Sequence, residues 1–175
     1  MNKIKFSVLV LALMVSVTSA SAQNEEVTAN NSWLKIGANA GVPVGDASDI
    51  ASFKAGLELK GQYLLNPHFG IGLTAGYNQY FGKNGVEDFG SIPIGALLRY
   101  YAKSEGLFVG LDGGYNFFTN LPGNDAAVFL KPQIGYHNYS WNYFAYYNAI
   151  LRSENKGADI NDIGIGVSYN IRFRK

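Results

Sequence analysis

The sequence predicts an all-β chain closed into a transmembrane, eight-stranded, antiparallel up-and-down β-barrel. The clearest sign is the segment Ile163 to Phe173. Ile163, Ile165, Val167, Tyr169, Ile171 and Phe173 fall on one face, and Gly164, Gly166, Ser168, Asn170 and Arg172 on the other. A period of two sets one face against something oily and the other against something polar or wet. Seven earlier segments repeat the alternation, and the connections between segments alternate long and short. The third sign is an export signal at the start of the chain.

Lys3 and Lys5 make a positive n-region, Phe6 to Val17 an apolar run, and Ala20-Ser21-Ala22 a small-residue cleavage site, so cleavage is expected between Ala22 and Gln23. The apolar run is shorter than the roughly 20 residues that a spanning helix needs. Residues 23–32 are polar and aperiodic and read as a mobile periplasmic lead-in, which leaves 33–175 for the barrel. The absence of cysteine excludes disulfides, thiol catalysis, Cys-type zinc sites and a lipidated N-terminal Cys. Without Lys3 and Lys5 the 14 basic residues fall to 12 against 13 acidic ones, so there is no basic surplus to attract nucleic acid. The enrichment in Gly (21), Tyr (12) and Phe (11) suits curved, membrane-embedded sheet better than a soluble core.

The first strand is expected from Trp33 to Val42, with Leu34, Ile36, Ala38, Ala40 and Val42 outward. The second runs from Phe53 to Leu65, with Leu57, Leu59, Tyr63 and Leu65 outward and Lys54, Glu58, Lys60 and Gln62 inward. The third, Phe69 to Phe81, turns Phe69, Ile71, Leu73, Ala75, Tyr77 and Phe81 outward. The fourth, Ile92 to Tyr101, turns Ile92, Ile94, Ala96, Leu98 and Tyr100 outward and Arg99 inward. In the fifth, Leu107 to Phe118, Leu107, Val109, Leu111, Tyr115 and Phe117 oppose Asp112 and Asn116. In the sixth, Val128 to His137, Leu130, Ile134 and Tyr136 oppose Lys131, Gln133 and His137. Pro132, lacking an N–H on the outward face of that strand, predicts a local bulge. The seventh, Trp141 to Leu151, places Trp141, Tyr143 and Tyr147 outward and Phe144 and Tyr146 inward, and the eighth is the closing segment. Each is close to the roughly 9–11 residues that a tilted strand needs to cross a bilayer.

Asn66-Pro67-His68, Ala102 to Gly106 and Asn138-Tyr139-Ser140 read as tight turns. Pro43 to Ala51, Gly82 to Gly90, Thr119 to Ala127 and Arg152 to Asn161 are longer and rich in Gly, Asn and Asp. A membrane barrel sorts its loops this way, with short turns in the periplasm and long loops outside. Under that topology Tyr63, Phe69, Tyr100, Tyr136, Trp141, Tyr143 and Phe173 gather at the periplasmic end of the outer face. Tyr77, Phe81, Tyr115, Phe117 and Tyr147 gather toward the other rim, so that two aromatic girdles bracket an aliphatic band. Gly70-Ile71-Gly72 and Gly164-Ile165-Gly166 are not nucleotide-binding fragments, because no helix follows either.

With its cleavable signal, its eight segments and its closing strand GIGVSYNIRF, Gly164 to Phe173, the chain resembles the small single-domain outer-membrane β-barrel proteins of the eight-stranded type. That family usually ends on an aromatic residue, part of the signal that the outer-membrane insertion machinery reads. Phe173 holds that place here, followed by Arg174 and Lys175. The resemblance implies an outer-membrane location in a Gram-negative cell, contact with lipid and lipopolysaccharide, and a monomer. It does not choose among the family's roles in adhesion, resistance to host defence, envelope tethering and lipid A modification.

By parity the interior collects Lys35, Lys54, Lys60, Arg99, Lys131 and Arg172 against Glu58 and Asp112. An eight-stranded lumen is just wide enough for side chains to fill, which argues against an open diffusion channel. Facing Leu107 against Tyr136 brings Asp112 beside Lys131, the expected pair. The interior reads as a hydrogen-bonded polar plug, with an anion site as its functional alternative. His68, in a turn, and His137, inside, do not assemble with Ser and an acid, so no catalytic residue and no cofactor is assigned. The outer loops hold Asp46, Asp49, Glu87, Asp88, Asp125, Glu154, Asp159 and Asp162 against Lys83, Arg152 and Lys156, without the spacing of a calcium loop. The expectation is a non-enzymatic structural or surface-interaction barrel. A lipid-modifying enzyme and a narrow pore or anion-binding transporter are the alternatives.

Overall fold

Alternation of inward and outward side chains carries through most of the folded chain. The computed structural model describes residues 33–121, 126–138, 140–153 and 157–172, with the side chains of Trp33 and Arg172 left out. The expected cleavage site at Ala22–Gln23, the lead-in 23–32 and Phe173 lie outside the described residues. The strands are β1 (Trp33–Val44), β2 (Ala51–Leu64), β3 (Phe69–Gly82), β4 (Phe89–Tyr101), β5 (Gly106–Thr119), β6 (Ala127–His137), β7 (Trp141–Leu151) and β8 (Ile160–Arg172). Each pairs antiparallel with its sequence neighbours, and β8 returns to β1 over a register running from Trp33↔Arg172 to Val44↔Asn161. Closure leaves no sheet edge with unpaired backbone groups, the condition for a sheet in hydrocarbon.

The outward face is apolar over its whole girth. Leu57, Leu73, Ile94, Leu107, Tyr115, Ile134, Tyr143 and Ile165 are all exposed, while Lys35, Lys54, Glu58, Lys60, Arg99 and Asp112 are buried. A molecule oily outside and ionic inside is stable in a bilayer and not in water. No helix among the described residues is long and apolar enough to cross a membrane, which says nothing of strands. The connections at one end are Leu65–His68, Ala102–Glu105 and 138–140, and those at the other are longer. The first long loop carries a single helical turn, α1 (Ala47–Ile50), which tucks the buried Ala47 into the barrel mouth.

Several strands run past their expected outer ends, and the reasons are local. At the start of β2 the register shifts between Ala51 and Phe53. Ser52 is the extra residue of this bulge, and its Oγ bonds the carbonyl of Phe81 at 3.2 Å. Two consecutive outward residues, Ser52 and Phe53, break the period of two there. The bulge expected at Pro132 does not form. β6 keeps one register against β7 from Val128↔Leu151 to His137↔Asn142, and the ladder simply skips Lys131 and Pro132. Pro93 produces the same gap between β3 and β4, again without a shift. A proline removes a donor from the ladder, but long flanking pairings hold the register on both sides.

Candidate functional site

Parity delivers every second side chain to the lumen, and the filling has three tiers. At the outer end Tyr80, Phe89, Phe118, Phe129, Ile150 and Ile160 pack with Ala47, Ala51, Leu121 and Ala127 into an apolar plug. Tyr80 stacks on Phe89 with ring centroids 4.9 Å apart and planes within 5°. Toward the end with the short turns Leu64, Tyr101 and Phe108 pack with Phe144 and Tyr146 from β7. The sequence reading foresaw Phe144 and Tyr146 but not the outer plug.

Between the plugs lies the ionic tier. Asp112 meets Lys131 in the expected backbone register, but their side chains do not pair. Asp112 takes Arg99 of the neighbouring β4 at 2.5 Å and Lys60 of β2 at 3.2 Å across the lumen, and Gln133 Nε2 donates to its Oδ2 at 2.6 Å. Lys131 reaches Glu58 at 3.1 Å, and Lys60 reaches the other Glu58 oxygen at 2.7 Å. In a closed barrel the opposite wall is as near as the next strand, so long side chains pair across the diameter. Lys35 donates to Tyr101 Oη and Asn142 Oδ1, each at 3.1 Å, and Tyr101 Oη donates to Gln62 at 2.8 Å. Lys131 and Lys54 also lie over the Tyr146 ring, 4.3 and 4.6 Å from its centroid. Among the predicted interior residues, Lys35, Lys54, Glu58, Lys60, Arg99, Asp112 and Lys131 thus occupy the lumen. The Arg172 side chain lies outside the described residues.

Asp162 is a correction. The sequence reading placed it in an outer loop, whereas it is an inward residue of β8 with no exposure. It accepts from Lys54 Nζ at 2.6 Å, Tyr80 Oη at 2.8 Å and Asn148 Nδ2 at 2.8 Å. Its parity matches Gly164, Gly166 and Ser168, so the signal was present in the sequence. It was obscured because the inward residue two places earlier, Ile160, is apolar.

Glycines shape the wall beside this tier. Phe144 faces Gly166 and Tyr146 faces Gly164 in adjacent strands. A Cβ at Gly166 would collide with the Phe144 ring, and one at Gly164 or Gly41 with the Tyr146 hydroxyl. The two aromatic rings therefore lie in sockets that only glycine can form.

Among the described residues, neither histidine joins an acid–base cluster. His68 Nδ1 hydrogen-bonds the carbonyl of Tyr101 at 2.8 Å, and His137 Nε2 that of Lys103 at 3.0 Å. Tyr101 and Phe108 pack edge-on against the His137 ring. No cluster of His, Asp and Glu among the described residues is arranged to hold a metal ion.

On the outer face, of the expected girdle residues, Tyr63, Phe69, Tyr136, Trp141, Tyr143, Tyr77, Phe81, Tyr115 and Phe117 are exposed. Tyr100 and Tyr147 are half-buried, Tyr100 lying 5.1 Å from Phe69 between ring centroids. Trp141 packs edge-on against Tyr169 at 4.9 Å and stacks with Tyr143 at 6.4 Å. In the outer loops Asp46, Asp49, Glu87 and Asp88 are exposed, with Lys83 beside them. Asp88 Oδ1 accepts from the Gly82 N–H and Asp159 Oδ1 from the Arg152 N–H, so part of this acidity braces loops.

No family model matches the chain, and no curated protein matches its sequence. Solved structures do match. Neisserial surface protein A (NspA) superposes with a TM-score of 0.54 at 14% identity, over 84% of this chain and 100% of that one. The N-terminal β-barrel domain of Pseudomonas aeruginosa OprF gives 0.51 at 16%, over 81% and 98%. Ail, the attachment invasion locus protein of Yersinia pestis, solved in complex with the heparin analogue sucrose octasulfate, gives 0.50 at 15%, over 80% and 97%. At these identities the likeness is one of fold.

Proposed function

We propose that this chain, folded as the small eight-stranded outer-membrane barrels are, is a non-enzymatic integral protein of a Gram-negative outer membrane. It acts through its outer surface, in envelope integrity or in contact with the surroundings. The observation that carries the reading is the lumen, which is plugged by aromatic rings near both ends and crossed by ion pairs between them. A molecule sealed in this way has its outer loops and its lipid face left to work with. Closure also supports a monomer, delivered by the insertion machinery and surrounded by lipid and lipopolysaccharide.

The sign of the rim narrows the partner. Ail was solved with a polysulfated ligand. Asp46, Asp49 and Glu87 would repel such a polyanion, so the partner of this chain is read as cationic, or as lipopolysaccharide phosphate bridged by divalent cations. Three measurements on refolded protein test the reading. Planar bilayers should show no channel openings, lipid A should keep its mass, and vesicles carrying the barrel should bind amine-coated but not sulfated beads. Neutralising Asp46, Asp49 and Glu87 together to Asn, Asn and Gln should abolish bead binding. A persistent conductance would make the barrel a pore, and a changed lipid A mass would make it an enzyme.

A further inference from the structure

Among the described residues, the central cluster of ion pairs in the lumen does not balance. Lys131, Glu58, Lys60, Asp112 and Arg99 form a chain in which two carboxylates are shared among three cations. Lys54 and Asp162 form a separate one-to-one pair. Within this chain of described residues one positive charge is in excess, among side chains that are almost wholly buried; Lys35, held by Tyr101 and Asn142, stands apart from it. Such a charge is costly unless a counter-charge joins it.

The surplus meets a cavity. A space of about 20 Å³ is bordered by Lys131, Lys54, Asn116, Asn39, Asn78 and Asn148. Glu58 and Asp112 also border it, each already held by its two cations. Roughly 10–15 Å³ suffices for one water-sized species. Asn116 is 1% exposed, and Ser91 Oγ donates to its Oδ1 at 2.6 Å, which orients the amide. Its Nδ2 is buried and makes no hydrogen bond within the described residues. An asparagine with a free amide donor and two lysines thus border one small space. A water molecule would satisfy the amide and leave the charge, whereas an anion answers both.

We propose that this cavity binds one small monovalent anion, of the chloride class, received by Asn116 Nδ2 and the ammonium groups of Lys131 and Lys54. With the lumen plugged on both sides, the anion is a fixed component acquired on folding and is not cargo in transit. Conductance, which tests the closed lumen, is a separate measurement, so either idea can fail without the other.

The test is urea unfolding of vesicle-refolded protein in chloride, bromide or gluconate at equal ionic strength, gluconate being too large for the cavity. The unfolding constant should fall about tenfold when the halide stands at ten times its dissociation constant, and not at all in gluconate. Asn116→Asp, which keeps the acceptor for Ser91 and supplies a tethered negative charge, should fold in gluconate and lose the halide response. Lys131→Gln, which removes the surplus charge, should lose it too and serves if the first variant does not refold. Crystals grown in bromide should show an anomalous peak between Asn116 and Lys131. Equal stability in all three salts, a halide response intact in both variants, or a water without anomalous signal in the cavity would overturn the proposal.

Discussion

Asp162 is the best place to test the interior by substitution. It accepts from Lys54 at 2.6 Å, and neither side chain is more than 1% exposed. Asp162→Asn removes the charge and leaves a buried ammonium facing an amide. Breaking one side of a buried pair costs about 3–5 kcal/mol. The carboxylate also accepts from Tyr80 and Asn148, and an amide oxygen serves them less well, adding about 0.5–1.5 kcal/mol. The expected loss is about 4–6 kcal/mol, a large part of a stability typically near 5–15 kcal/mol. Lys54→Met alone strands the carboxylate, which keeps its two neutral donors, at a cost of about 3 kcal/mol. The double variant retains neither charge, so it should be more stable than the sum of the singles predicts, by about 2–4 kcal/mol. Equilibrium urea titration of vesicle-refolded protein, followed by tryptophan fluorescence, measures the cycle. A coupling below about 0.5 kcal/mol is what independent sites give, and it would refute the pairing and the inward placement of Asp162.

Other perturbations read other parts of the wall. Leu73, 72% exposed on the lipid face, should lose about 2–4 kcal/mol as Leu73→Arg, and the same titration measures it. Gly166→Val drives a side chain into the Phe144 ring and should cost about 1–3 kcal/mol. Combined with Phe144→Ala, that valine should be less harmful than it is alone, because its space has been vacated. An impermeant thiol reagent on intact cells should label Glu87→Cys, in a long loop, and leave Ser104→Cys dark until the outer membrane is opened. Labelling at Ser104 in sealed cells would invert the topology.

The middle of each strand was legible because its two sides differ in polarity. Leu57, Glu58, Leu59 and Lys60 alternate in hydropathy as they alternate in direction, and their facing follows directly. Toward the outer end that contrast disappears, since Phe89, Phe118 and Ile160 are apolar and point inward. Alternation of direction continues there while alternation of hydropathy stops, so strands looked shorter than they are and Asp162 was read as a loop residue. The β5–β6 register was deducible from pairing rules, but which charges meet was not. Glu58 reaches Lys131 from a strand 73 residues away in sequence, and only closure of the barrel brings the two walls together.

The glycine sockets decide something that hydropathy leaves open. Slipping one strand past another by one residue turns every side chain to the wrong face, and the bilayer forbids it. Slipping by two restores every facing and costs nothing on the lipid side. Between β7 and β8 the inner face breaks that tie. A slip in one direction sets Phe144 against Ser168, where no socket exists. In the other, Tyr146 lands on Asp162 and displaces Asn148 from it. Both shifted alignments lose one of two matched fits, so a pair of aromatic rings near the closing seam selects a single shear for the whole barrel.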